Sequence, residues 1–167
     1  MEIIQSEKWH VTYLAPRLRQ QDVAEIRAGS GSKPEEALME GLQLSMPHAC
    51  TLISPLTKLP CAMCGVTPFG EGIGLVWLLG TPELAHSPLA FQKAARKLIE
   101  KAFTELGYTE IGNVVHAGNT TAVRWLRHMG FTFTQENVPA GRNGELFHAF
   151  TTRREGQAQH GEGYNSV

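Results

Sequence analysis

The chain of 167 residues is 42% hydrophobic and 19% charged, with 15 Lys+Arg against 16 Asp+Glu, a composition that fits one globular α/β domain over residues 1–153. A formal net charge of -1 supplies no global field for a polyanion, which disfavours a dedicated nucleic-acid binder. The longest apolar run, around residues 73–79, is far short of the roughly 20 residues a helical membrane span needs, and Met1-Glu2-Ile3-Ile4 runs into Gln5, Ser6, Glu7 and Lys8 without a secretory apolar core, so the expected location is the cytoplasm.

In chain order, residues 10–14 read as a short strand closed by Pro16, and residues 19–28 as a helix with Val23 and Ile26 inward and Gly29 as its stop. Ser32 is placed to cap a second helix with Pro34 in its first turn, Glu35 and Glu36 near the positive dipole end, and Leu38, Gly41, Leu42 and Ser45 on its packed side. Residues 50–54, 60–66 and 73–79 then read as a three-stranded meander, turning at residues 55–59 and at Phe69-Gly70-Glu71-Gly72. The third strand shows no alternation through Leu75, Val76, Trp77, Leu78 and Leu79, as in a central strand covered on both faces.

The clearest helix is 87–106, where Phe91, Ala94, Ala95, Leu98, Ile99, Ala102, Phe103 and Leu106 recur at steps of three and four. Lys93, Arg96, Lys97 and Lys101 form its solvated stripe. Residues 110–116 read as a strand. Asn119 caps a short helix in which Ala122, Trp125, Leu126 and Met129 share one face, and Gly130 ends it. Residues 131–135 and 146–152 close the domain as paired strands around a Pro- and Gly-containing loop, and residues 154–167 read as a flexible polar tail.

Cys50, Cys61 and Cys64 are too few for a disulfide scaffold and suit a reducing compartment. The Cys61-Ala62-Met63-Cys64 spacing invites a metal reading with His48 and Cys50 as further ligands. There is no second such pair, and residues three apart on a strand point to opposite faces, so core thiols are expected and no metal site.

The string Asn119-Thr120-Thr121-Ala122 through Met129-Gly130-Phe131, together with the element order over residues 10–153, resembles the Asn-x-x-Ala…Gly-Phe signature of the GNAT superfamily of N-acetyltransferases. Leu75 to Thr81 followed by Arg124-Trp125-Leu126 more narrowly resembles acetyltransferase-like internal virion proteins of short-tailed phages. The resemblance implies a GNAT-like acyl-CoA N-acyltransferase fold, a mixed twisted sheet with helices on both faces. Strands 73–79 and 110–116 should run parallel and splay apart. Acetyl-CoA would enter the gap, its pantetheine arm on the backbone of Leu78, Leu79 and Gly80, with Ser87 and Asn119 completing its site.

The sequence departs from that pattern twice. In place of a Gly-rich phosphate loop stands Gly80-Thr81-Pro82-Glu83-Leu84-Ala85-His86-Ser87-Pro88, where two prolines lack N–H donors and Glu83 adds a like charge, so cofactor binding is expected to be weak. Where many members carry a tyrosine acid, seven residues after Asn119, this chain has Leu126. His116, ending the strand beside the cleft, would accept a proton from an ammonium acceptor, or serve as a hydrogen-bonded boundary residue. Trp125 is expected in the core, and Trp77 in the core or on the wall of the acceptor groove. Two functions stay open: acetyl transfer to an amine, with acetyl-CoA and the acceptor as partners, or a degenerate phage protein that contacts virion or host proteins without turnover.

Overall fold

The computed structural model describes residues 1–154, so the expected tail lies, beyond Arg154, outside the described residues. Seven strands form one mixed sheet in the order β1-β2-β3-β4-β5-β7-β6. They are β1 (Glu2–Gln5), β2 (Cys50–Ile53), β3 (Pro60–Gly70), β4 (Ile73–Gly80), β5 (Glu110–His116), β6 (Thr132–Pro139) and β7 (Leu146–Arg153). The expected meander is present as antiparallel β2, β3 and β4, and β1 adds an edge strand that four residues were too few to announce. Beyond a parallel β4–β5 junction, β5, β7 and β6 pair antiparallel.

The expected strand at residues 10–14 is instead helix α1 (Lys8–Leu14). Its five residues include β-branched and aromatic side chains, but tertiary packing overrides that preference. Val11 and Leu14 are fully buried one helical turn apart, against Leu38, Leu42 and Met63. The His10 ring nitrogen Nδ1 accepts the Glu7 N–H at 2.8 Å, tying down the helix start.

Helices α2 (Gln20–Gly29) and α3 (Pro34–Ser45) follow. The α3 cap is Lys33, not Ser32: the Lys33 N–H donates to the Glu36 carboxylate at 2.8 Å, reaching back from the first turn. Leu38 and Leu42 bury one face, and Gly41 lets the Trp77 ring lie against the helix, since a Cβ there would stand 2.8 Å from Trp77 Cζ2.

On the opposite face of the sheet lies α4 (Pro88–Thr104), with Ser87 in the cap position, and behind it α5 (Thr120–His128). Phe91, Ala94, Ala95, Ala102 and Phe103 of α4 join Ile111, Val115, Val123, Leu126 and Phe150 in the larger core cluster. The smaller cluster, on the α1 and α3 side, includes Met63 with Trp77 and Leu79 packed on it. Helices therefore cover both faces, and α4 is the crossover that makes β4 and β5 parallel. No described helix is long and apolar enough to cross a membrane.

A bulge corrects the geometry expected for the cysteines. The register shifts between Leu52 and Ile53, opposite Ala62 and Pro60, so Cys61 falls out of strict alternation and packs in the same cluster as Ala62 and Cys64. Cys50 pairs with Cys64 across β2 and β3. Among the described residues no group of three His, Cys, Asp or Glu side chains is arranged to hold a metal ion.

Candidate functional site

Parallel pairing of β4 and β5 covers only Ile73–Glu110, Gly74–Ile111 and Leu75–Gly112. At the next step the Asn113 carboxamide enters the seam. Its Nδ2 donates to the Val76 carbonyl at 2.8 Å while its Oδ1 accepts the Val114 N–H at 2.8 Å, so a side chain replaces the ladder and the strands part. The result is a cleft of about 1230 Å³, mostly apolar, reached by Leu78, Val114 and Trp125. It also explains why Leu75, Val76, Trp77, Leu78 and Leu79 are only half-buried, a correction to the expectation of a strand covered on both faces.

Backbone groups alternate along a strand edge. Thr81 N–H donates to the Cys61 carbonyl on the β3 side at 2.8 Å, so Val76, Leu78 and Gly80 turn their N–H and C=O toward the cleft. Past Leu75 there is no β5 partner for them. Leu78 presents both groups to the cleft, and its side chain packs on the α4 side, whereas Leu79 packs on the α3 side. Gly80 is different. Its N–H donates to Asp22 Oδ2 at 2.8 Å and its carbonyl accepts the Arg19 N–H at 2.9 Å.

Asp22 is 3% exposed and is also gripped by the Arg19 guanidinium at 2.9–3.1 Å. Burial pushes its carboxyl up from the ordinary value, and this outweighs the opposing pull of Arg19 and of the Gly80 N–H. One turn on, Glu25 accepts from Asn119 Nδ2 at 3.0 Å and from the His116 backbone N–H. Burial raises the Glu25 carboxyl too, against the hydrogen bond from Asn119 and with help from the nearby Asp22.

Asn119 is 6% exposed and does double duty, since its Oδ1 also caps α5 by accepting the Ala122 N–H at 3.2 Å. His116 stands at the end of β5 with Nε2 3.4 Å from Glu145 Oε2 and its ring edge-on to Phe147. Ser87 accepts the Phe91 N–H at 2.9 Å through its carbonyl and makes no side-chain cap bond. Residues Pro82–His86 wind into a 3₁₀ turn; of the expected site residues, Leu78, Leu79 and Asn119 line the cleft, whereas Gly80, Ser87 and His116 do not. Glu83 is turned aside, accepting from Ser54 Oγ at 2.8 Å and lying 3.1 Å from His86, contacts that hold its carboxyl below the ordinary value.

Trp125 is half-buried and stacks on Phe91 with ring centroids 4.9 Å apart, forming cleft wall instead of deep core. Leu126, the next residue, is buried at 7% exposure. Trp77 lies between α3 and β4, with its Nε1 donating to Ser45 Oγ at 2.8 Å, and it also lines the cleft. Sequence reasoning missed Arg19, Asp22 and Glu25. The available signal was that Val23 and Ile26 are the only large aliphatic residues of α2, which leaves polar side chains on its inward stripe.

No protein-family model matches the sequence, and no curated protein matches it. Solved structures do match. A GNAT-family acetyltransferase from Bacillus anthracis superposes with a TM-score of 0.67 at 13% identity, covering 90% of this chain and 93% of that one. Spermidine N-acetyltransferase from Vibrio cholerae, in complex with CoA and spermine, gives 0.68 at 13% identity over 91% and 94%. A Streptococcus mutans protein gives 0.66 at 9% identity over 92% and 99%. The fold is therefore that of the GNAT acetyltransferases.

Proposed function

We propose that the protein transfers an acetyl group from acetyl-CoA to an amine. The observation that carries this reading is the juxtaposition of Leu78, whose backbone N–H and C=O face an apolar cleft with no β5 partner, and Glu25, a half-buried carboxyl at the same cleft. Among solved structures of this fold, the Vibrio cholerae enzyme holds CoA and spermine, which supports CoA and amine ligands for the present cleft.

The residues fit the cofactor in part. Leu78 offers one donor and one acceptor to an amide-bearing arm, and the apolar walls at Val114 and Trp125 suit its methylene groups. Where Pro88 and Leu89 line the cleft, the Leu89 and Ala90 amides of the first turn of α4 lie at the positive end of the helix dipole, while Pro82 and Pro88 supply no N–H. When bound, acetyl-CoA supplies a thioester acyl group open to attack by a neutral amine.

Glu25 takes the proton that an arriving ammonium must lose. A carboxyl raised by burial is a stronger base than a solvated one, and Asn119 orients it. His116 adjoins Glu25 through its backbone and so positions the carboxyl, while its ring is engaged with Glu145 and Phe147; the proton leaves Glu25 to water in the cleft. Leu126 offers no proton, so α5 contributes no acid from that position, and the departing thiolate would take its proton from water.

A second reading, a fold kept for virion or host contacts without turnover, draws on the proline-bearing loop and on the occupied backbone of Gly80. Calorimetric titration with acetyl-CoA, paired with thiol release in the presence of a panel of primary amines including spermine, separates the two. The enzyme reading expects binding with a Kd above about 100 μM, weaker than about -5.5 kcal/mol, and thiol release that Glu25→Gln removes. Absence of both binding and release would reject it.

A further inference from the structure

An exposed strand edge is a template for anything that can pair as a strand would, donating to its carbonyls and accepting from its N–H groups. On the splayed stretch of β4, three residues face the cleft. Asn113 takes the Val76 carbonyl, Leu78 is open, and at Gly80 the first turn of α2 supplies both halves of a strand-like pairing: the Arg19 N–H for the carbonyl and the Asp22 carboxylate for the N–H. Any extended ligand that pairs with alternate residues of this edge would use Leu78 and Gly80 in succession, and it meets α2 at the second.

We propose that the Arg19–Asp22 turn is a strap over the end of β4 that acetyl-CoA must displace to engage Gly80, and that its displacement moves Glu25. This inference rests on the acetyl-transfer reading above. The Asp22 carboxylate keeps its Arg19 partner at 2.9–3.1 Å whether or not Gly80 is bound, so release does not strand a buried charge. Glu25 lies one rigid helical turn further along α2, so a shift of the strap alters its contacts with Asn119 and His116. Occupation of the cofactor edge and placement of the proton acceptor are thereby linked through one short helix.

The test is calorimetric titration of the full chain with acetyl-CoA, comparing the wild type with Asp22→Ala and Asp22→Asn. Asp22→Asn keeps an acceptor for the Gly80 N–H, whereas Asp22→Ala removes it. The strap predicts that Asp22→Ala binds about tenfold tighter than wild type, with Asp22→Asn between them, because a hydrogen bond to a charged group no longer competes. A folded Asp22→Ala that binds no tighter overturns the strap while leaving the acetyl-transfer reading standing. Binding by none of the three overturns both. Should Asp22→Ala fail to fold, amide NMR of the wild type decides: acetyl-CoA that moves the Leu78 and Gly80 resonances together supports the strap, and movement of Leu78 alone overturns it.

Discussion

Asp22 and Glu25 stand one turn apart on α2 and hold opposite lips of the same cleft, Asp22 through the Gly80 N–H on β4 and Glu25 through the His116 N–H at the end of β5 and Asn119 just beyond it. A ten-residue helix with few large aliphatic residues thus bridges the gap by polar contacts. Their enclosure has a thermodynamic consequence that can be measured.

The Glu25 carboxyl is raised in the folded protein, so the folded state binds more protons than the unfolded chain above the ordinary value of 4.5. Stability from this group is therefore present at low pH and falls as pH rises through that window. Urea melts of wild type and Glu25→Gln across pH 4 to 8 should show the variant gaining relative to wild type as pH rises. A difference that stays constant with pH would show that Glu25 ionises as readily in the folded chain as in the unfolded one.

His10 acts with the opposite sign. Burial depresses its folded value below 6.5 against the pull of Glu7, so the unfolded chain binds the extra proton and stability falls as pH drops below 6.5. Its Nε2 is buried without a partner while Nδ1 accepts the Glu7 N–H. Comparing His10→Leu with wild type at pH 7.5 and pH 5 should show wild type losing more stability on acidification; equal losses would place a charged His10 in the folded state.

For the α5 face, Trp125→Ala should cost about 3 kcal/mol, near the lower end for truncating a buried aromatic, because the residue is only half-buried but stacks on Phe91. Exposed Arg124→Ala should stay within about 0.5 kcal/mol. Denaturant melts of the two variants give the comparison, and equal costs would mean that the helix packs by its other side.

Thiol titration at pH 8 should find one accessible cysteine. Cys50 is half-buried, its thiol raised by burial, whereas burial pushes the Cys61 thiol up to about 11 and that of Cys64 higher still. Reaction of Cys50 first, with the other two following only on unfolding, is the expected order; three equal rates would contradict the packing of the bulge.

The elements set by local periodicity were legible in the sequence. The apolar stripe of α4, the Asn119 cap with Gly130 at φ 92° closing α5, and the meander from β2 to β4 all follow from spacing and turn residues. Features that depend on distant contacts were not legible. Residues 10–14 are helical because Val11 and Leu14 meet α3, and Cys61 shares a face with Cys64 because of a bulge that alternation does not reveal. Among the candidate site residues, Leu78, Leu79, Gly80, Ser87, His116 and Asn119 were singled out by resemblance to a known cleft, of which Leu78, Leu79 and Asn119 line the cleft. Asp22 and Glu25 escaped notice because their partners, Gly80 and Asn119, lie 58 and 94 positions away in the chain.

The seam between β4 and β5 joins two antiparallel blocks, β1 to β4 and β5 to β7, through only three residue pairs. Each block has its own antiparallel ladder, and within the sheet the two meet at a narrow waist above a core cluster that they share. Native-state hydrogen exchange should register that division. Amides at the waist would open in events that leave the ladders of both blocks protected, and a ligand bridging the two strands would slow exchange there more than anywhere else in the sheet.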